Sequence, residues 1–255
     1  MSGALATLLA AGVGAGLIGN TALQAVAASL NLNLTMEGYD TSAPIDGQDG
    51  WESDGARTGS CALYDHHFEA VPAGIQSLAP GFGGKALRIS DSVTSGCFSD
   101  QTFTSPLANE AGETAATADG KSGGVRSAFY EVEWQMISAK ATEQPGLSMS
   151  FSPDRGDGAR MSYIRVEDHP SGLDFIFGDY HDGDFEYTLI ASGASRTAVH
   201  TIKLQMIFVD GQTGNDLVRV FFDGNLVKTG TSWELYFKEN ENLPTGNPTH
   251  TVDSC

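Results

Sequence analysis

The sequence predicts an all-β chain, an antiparallel β-sandwich of two packed sheets. Three observations carry that expectation. Beyond residue 30, apolar side chains recur with period two, which sends alternate residues to opposite faces of a strand. Asp-Gly pairs separate those runs at Asp182-Gly183, Asp210-Gly211 and Asp223-Gly224, and glycine there accepts the positive φ of tight hairpin turns. The chain also holds 31 Gly in 255 residues, as short strands and frequent corners require. A helical period is almost absent.

The amino end reads differently. No charged side chain occurs before Glu37, and Ala4 to Ile18 are almost wholly Ala, Leu, Val and Gly. A run of about 15 residues is short for a membrane span, which needs roughly 20, and it fits the apolar core of a secretory signal peptide. Ala25-Val26-Ala27 supplies the small-x-small site for cleavage after Ala27. Residues 1–27 are therefore expected to direct export, leaving a secreted, extracellular protein with no membrane attachment after cleavage. The rival reading, a permanent anchor paired through Gly12 and Gly16, is opposed by Asn20, Thr21 and Gln24, which interrupt the apolar pattern.

Residues 28–255 then read as one domain. Leu30, Leu32, Leu34 and Met36 alternate with polar residues. Tyr130, Val132, Trp134 and Met136 share one face, with Glu131, Glu133 and Gln135 on the other. Leu147, Met149 and Phe151 make the next run, followed by Leu173, Phe175 and Phe177, then by Phe185, Tyr187 and Leu189. Ile202, Leu204, Met206 and Phe208 precede Val218, Val220 and Phe222. Each run is apolar on one side only, as a two-layer antiparallel sandwich demands. Residues 108–124 look like a long exposed loop, and Thr249 to Ser254 look like the opening of a final strand that the sequence cuts short.

With 14 Lys+Arg against 32 Asp+Glu, the formal net charge is −18. That balance excludes nucleic acid, whose phosphates demand clustered bases, and disfavours anionic lipid. Cations and neutral solutes such as sugars remain. Cys61 and Cys97, both in Gly/Ser-rich stretches, can close a disulfide in an oxidising compartment, worth roughly 3–4 kcal/mol on the chain-entropy model. The competing reading is two unpaired thiols. Cys255 is left over. Asn33-Leu34-Thr35 is a glycosylation sequon.

The segment from His200 to Gly211, then Asn215 to Val227, resembles the strand pair of laminin-G-like and concanavalin A-like domains, in which a strand ending in a loop precedes a strand of the form xVxVxVDGxxV. Lys85 to Ser90, Ser95-Gly-Cys-Phe98, Ser152 to Tyr163 and Gly230-Thr-Ser-Trp-Glu234 resemble exported bacterial members of that superfamily. The resemblance spans about residues 36–255 and implies a jelly-roll sandwich. It transfers no function, because the fold hosts lectins, adhesion modules, glycosidases and lyases alike.

Three sites come into question. Laminarinase-like glycosidases of the superfamily carry a Glu-x-Asp-x-Glu strand, and a retaining mechanism needs two carboxyls about 5–5.5 Å apart. Glu131 and Glu133 share a face at roughly 7 Å, but Gln135 holds the third position and cannot act as a general acid. The expectation is therefore no catalysis, with Glu131 and Glu133 as the residues of an alternative glycosidase or lyase. Calcium, which takes six to eight hard oxygens, is expected at Asp154 and Asp157 and at Asp179 and Asp182, helped by Asp184. The competing reading is that Asp and Gly are simply turn formers. Carbohydrate binding pairs aromatic faces with polar groups that fix hydroxyls. Trp51, Tyr64, Tyr180 and Trp233 lie in polar, loop-like surroundings, and Asn215, Asp216, Asp46 and Asp49 offer the polar part. No histidine metal spacing, nucleophile elbow or nucleotide loop is present. The functional expectation is non-catalytic recognition of carbohydrate or a cell-surface polymer, with calcium as cofactor.

Overall fold

The computed structural model describes residues 34–45, 47–53, 66–78, 82–89, 102–104, 129–153, 160–209 and 214–240. In chain order a 3-10 turn (Met36–Gly38) precedes β1 (Glu52–Ser53), β2 (His66–Ala70), α1 (Ala73–Leu78), β3 (Lys85–Ile89) and β4 (Thr102–Phe103). There follow β5 (Phe129–Met136), β6 (Ser148–Phe151), β7 (Tyr163–His169), β8 (Gly172–His181), β9 (Asp184–Ala194), β10 (His200–Ile207), β11 (Leu217–Phe222), β12 (Asn225–Gly230) and α2 (Glu234–Asn240).

Two four-stranded sheets face each other, one ordered β12-β11-β10-β5 and the other β6-β7-β8-β9, and every pairing is antiparallel. Two ribbons, β1-β4 and β2-β3, accompany them. The chain is the all-β sandwich that its alternation predicts.

The alternation also explains the core. On β10, Ile202, Leu204 and Met206 are fully buried, and Val218 and Val220 join them from β11. Ile164, Val166, Leu173, Phe175 and Phe177 oppose them from β7 and β8, and Tyr130, Val132, Trp134 and Met136 of β5 close the same cluster. Each fully buried side chain of this size contributes about 1.5–3 kcal/mol. The intervening Glu131, Glu133 and Gln135 point outward, opposite Gln205, Lys203 and Thr201 of β10.

The Asp-Gly turns form as expected. Asp182 and Gly183 have φ of 49° and 87°, and Asp223 and Gly224 have 47° and 79°. Positive φ at both central residues marks the two-residue turn whose twist matches its strands. Asp210-Gly211, the loop 108–124 and the segments 1–33 and 241–255 lie outside the described residues, and so do Cys61, Cys97 and Cys255.

Three local expectations are corrected. Leu34 and Met36 are not in a strand; Met36 opens the 3-10 turn, and both pack on a second hydrophobic cluster of Tyr39, Ile45, Trp51 and Phe68. Phe185, Tyr187 and Leu189 do not enter the core: Tyr187 and Leu189 are 51% and 54% exposed. The β8–β9 register shifts on both sides of Phe175, so that Ala194 pairs with Leu173, Ala191 with Phe175 and Thr188 with Phe177. Small β9 residues thus sit against large β8 ones, and the next residues over are turned to the outer face. Finally, α2 follows Thr231-Ser232-Trp233-Glu234, a helix-start signature in a stretch of seven helical residues too short to show a period. Ser232 Oγ accepts from the Glu234 N–H at 3.2 Å, and the Phe237 N–H donates to the Trp233 carbonyl.

One buried ion pair fixes an end of the sandwich. The Asp168 side chain is fully buried on the inward face of β7, and Arg196, in the turn before β10, donates to its Oδ1 from Nε at 2.8 Å and from Nη2 at 2.7 Å. Arg196 Nη2 also donates to the His169 carbonyl, and the Gln144 N–H donates to Asp168 Oδ2 at 2.9 Å. Three segments of chain meet on one carboxylate. Arg196→Met should cost about 3–5 kcal/mol because it leaves a buried charge uncompensated, while Arg196→Met combined with Asp168→Leu should recover most of that. Denaturant unfolding of both variants measures the difference.

Candidate functional site

On β7, inward Ile164, Val166 and Asp168 leave Tyr163, Arg165, Glu167 and His169 on the outer face. Period two along a strand spaces this column over roughly 20 Å. Across the register, Tyr163 lies opposite Gly178, Arg165 opposite Ile176 and Glu167 opposite Asp174, and on the next strand Tyr187 lies opposite Gly178 and Leu189 opposite Ile176. Ser148 and Ser150 of β6 flank the column on its other side.

Gly178 is the centre of an aromatic cradle. A Cβ there would stand 2.8 Å from the Tyr163 ring, so only glycine lets that ring lie on the strand. Tyr163 and Tyr187 close over it with centroids 6.3 Å apart, and Trp233 Nε1 donates to the Gly178 carbonyl at 3.4 Å. Trp233 meets Tyr163 edge-on at 5.8 Å and Phe185 at 4.9 Å, and Tyr236 of α2 packs on both Trp233 and Phe185. Such aromatic pairs contribute about 0.5–1.5 kcal/mol each beyond their buried area. The short helix therefore lays its rings on the outside of the sheet. Tyr187 keeps half its surface in solvent, and Phe185, Trp233 and Tyr236 keep part of theirs.

Two guanidiniums complete the cradle. Arg160 lies 5.1 Å from the Tyr163 ring centroid and Arg165 lies 5.3 Å from that of Tyr187. Arg165 Nε is 2.9 Å from Glu167 Oε1 yet makes no directed hydrogen bond, so the contact is ionic. Glu167 is shared, since its Oε2 lies 3.2 Å from His169 Nε2. Burial pushes the Tyr163 hydroxyl up to about 12, reinforced by its hydrogen bond with Tyr187. It stays protonated near neutrality and serves as a hydrogen-bonding group, not a nucleophile. Burial also lowers Arg160 from its ordinary value.

The residues expected at the site from sequence scatter. Tyr180 and Trp233 do come together, joined through Phe185 and Tyr236. Tyr180 is 5% exposed, and its hydroxyl donates to Glu239 Oε2 at 3.0 Å, so it supports the cradle from below. Trp51 is 2% exposed in the second hydrophobic cluster, edge-on to Phe68, with Nε1 donating to Tyr39 Oη at 2.8 Å. It is a core residue and offers no face to a ligand. Asp49 accepts from the Tyr39 hydroxyl at 3.5 Å in the same region. Asn215 is exposed ahead of β11. Asp216 is buried and braces two loops, accepting from the Val209 N–H at 2.8 Å and from Ser232 Oγ at 2.5 Å. Tyr64, Asp46, Asp154 and Asp157 lie outside the described residues.

Asp179 and Asp182 do not converge. Asp182 is exposed in the β8–β9 turn beside His181 Nδ1 at 3.1 Å, and Asp184 binds only the Phe185 N–H at 2.8 Å among its described hydrogen bonds. Asp179 points inward, 2% exposed, with Oδ2 accepting from the Thr231 N–H at 3.1 Å and Oδ1 unpartnered. Among the described residues no group of three or more His, Cys, Asp and Glu is placed to hold a metal ion. Glu131 and Glu133, the residues of the alternative glycosidase or lyase, lie on the outer face of the sheet opposite the one that carries the cradle. Glu131 accepts from Gln205 Nε2 at 2.5 Å and lies 4.0 Å from Lys203 Nζ.

Sequence reasoning missed Tyr163, Phe185, Tyr187, Tyr236, Arg160 and the role of Gly178. The available signal was the adjacent Ile190-Ala191 pair, which breaks strict alternation on β9 and marks a bulge. Compared with protein-family models, with curated proteins and with solved structures, the chain matches none.

Burial raises the pKa of Asp179 above the ordinary carboxylate value, against the lowering by the Thr231 N–H, Lys228 and His181 and with a smaller push from Glu186. A raised pKa in the folded state means a contribution fully present at acid pH and lost as pH rises through the folded value. Asp179→Asn should therefore abolish that part of the decline in stability above the acid range. Unfolding midpoints of the two proteins across pH 3 to 8 should diverge progressively, with the variant retaining more of its acid-range stability.

Proposed function

We propose that this chain is a secreted, non-catalytic module that recognises carbohydrate or a cell-surface polymer through the outer face of the β6-β7-β8-β9 sheet. The observation that carries this reading is the cradle around Gly178: rings of Tyr187, Trp233 and Phe185 with solvent-facing surface, fixed by packing and lined by a column of polar side chains. Aromatic faces stack on pyranose rings, and nearby polar groups select hydroxyls. Rings held by neighbours lose little entropy on binding. The column on β7 is extended, as an oligosaccharide is.

Three further points support it. The segments that resemble concanavalin A-like and laminin-G-like domains form β10 and β11, an antiparallel pair in the sandwich. The signal-like segment 1–27 supports a location outside the cell, and no described helix is long and apolar enough to cross a membrane. The acidic balance leaves sugars as compatible partners. The calcium expectation rests on the Asp154 to Gly158 loop.

A glycan array probed with the purified protein, with calcium and with EDTA, tests the reading. At least one glycan class should bind, and Tyr187→Ala should weaken it about tenfold, near 1.4 kcal/mol, in a variant that is still folded at the assay temperature. Absence of binding to every glycan under both conditions would overturn it.

A further inference from the structure

We propose that the Tyr163–Tyr187 cradle takes the carboxylate of an acidic sugar, a uronate unit, with Arg165 as the residue that binds it; this rests on the carbohydrate reading and names the ligand class. Two guanidiniums, Arg160 and Arg165, are brought to one pair of tyrosines in a chain whose acids outnumber its bases 32 to 14.

Arg165 is suited to that anion. Its cross-strand neighbours on the outer face are Ser150 and Ile176, neither of them acidic. Its charged partner is Glu167, whose other oxygen lies 3.2 Å from His169 Nε2. Nε makes that contact at 2.9 Å, and among the described residues the terminal nitrogens make no hydrogen bond. A planar fork with free terminal N–H groups matches a carboxylate with two parallel hydrogen bonds. The exposed Tyr187 ring beside it supplies the flat surface on which the pyranose carrying that carboxylate would stack, and the Tyr163 hydroxyl below remains protonated. The global charge of −18 does not forbid this, because at physiological ionic strength charges beyond about 8 Å are largely screened, whereas the guanidinium would be in contact.

The test uses matched polymers: polygalacturonate and polymannuronate against their methyl esters, which keep the sugar and remove the charge. Isothermal titration of the whole protein should show binding to at least one polyuronate, at least tenfold weaker binding to its ester, and weakening as salt rises. Arg165→Gln should lose about tenfold on the acid and nothing on the ester, and Arg165→Lys should recover only part. Equal binding of acid and ester by the unaltered protein, or binding of neutral glycans alone, overturns the inference and leaves carbohydrate recognition standing. Failure to bind polyuronates, esters and neutral glycans alike overturns both. The comparison of acid with ester needs no variant, so it decides even if Arg165→Gln does not fold.

Discussion

The burial of β8 on both of its faces is the constraint on which the rest depends. Inward, Leu173, Phe175 and Phe177 fill the space between the sheets, and Asp179 continues that row to its end. Outward, Gly178 and Tyr180 are covered by rings from β7, β9 and α2. A strand in an antiparallel sandwich ordinarily has one wet face. Here the wet face is dried locally by a seven-residue helix, which is too short to be stable alone and persists because its aromatic side chains find a sheet to lie on. The helix needs β8, and the cradle needs the helix.

The two ends of β8 are handled by different chemistry. At the Asp168–Arg196 end a buried carboxylate is matched by a guanidinium and one backbone N–H, and the guanidinium also donates to the His169 carbonyl. At the Asp179 end one carboxylate oxygen has the Thr231 N–H and the other has nothing. The first arrangement fixes three segments relative to one another; the second leaves a buried acid whose pKa burial raises above the ordinary carboxylate value. Gly230 makes the second possible, because a Cβ at that position would collide with Asp179 and Phe177. The close approach of β12 to β8 is therefore tied to a residue with no side chain.

Most of the fold was legible because most strands obey the simple rule. β5, β10 and β11 have one buried and one solvated face, and their alternation can be read directly from Tyr130 to Met136, Ile202 to Phe208 and Val218 to Phe222. β9 breaks the rule for a physical reason. Its bulges reverse which residues face inward, and both sets contain apolar side chains, so Phe185 and Tyr187 looked like core when they are the outer surface. The site suffered for the same reason. Loop-like context singled out Tyr180, Trp233 and Trp51 alike, yet the first two join one aromatic cluster on the sheet while Trp51 is buried elsewhere, since a tryptophan beside a glycine can as well be the centre of a small core as a ligand platform. Nothing local distinguishes the two; only the partners Tyr39 and Phe68 do.

The two outer faces of the sandwich are chemically unlike, and the difference is why the proposed recognition is placed on one of them. On the β5 side stand Glu131, Glu133, Gln135, Lys203, Gln205 and Arg219, long side chains whose immobilisation costs up to about 2 kcal/mol each. Their mutual contacts, Glu131 with Gln205 and Lys203 over Phe221, lie on a solvated surface where such pairs contribute about 0–1 kcal/mol. A ligand docking there would have to order them. On the β7 side the rings already pack on one another and on Gly178, and a ring has only two torsions to lose. Preorganisation of that kind leaves more of the contact energy available for binding, and it places the Arg165 guanidinium over the half-exposed Tyr187 ring instead of in bulk water. The outer face over β8 is thus the one whose rings are already packed on a sheet, because tyrosine and tryptophan side chains are buried there.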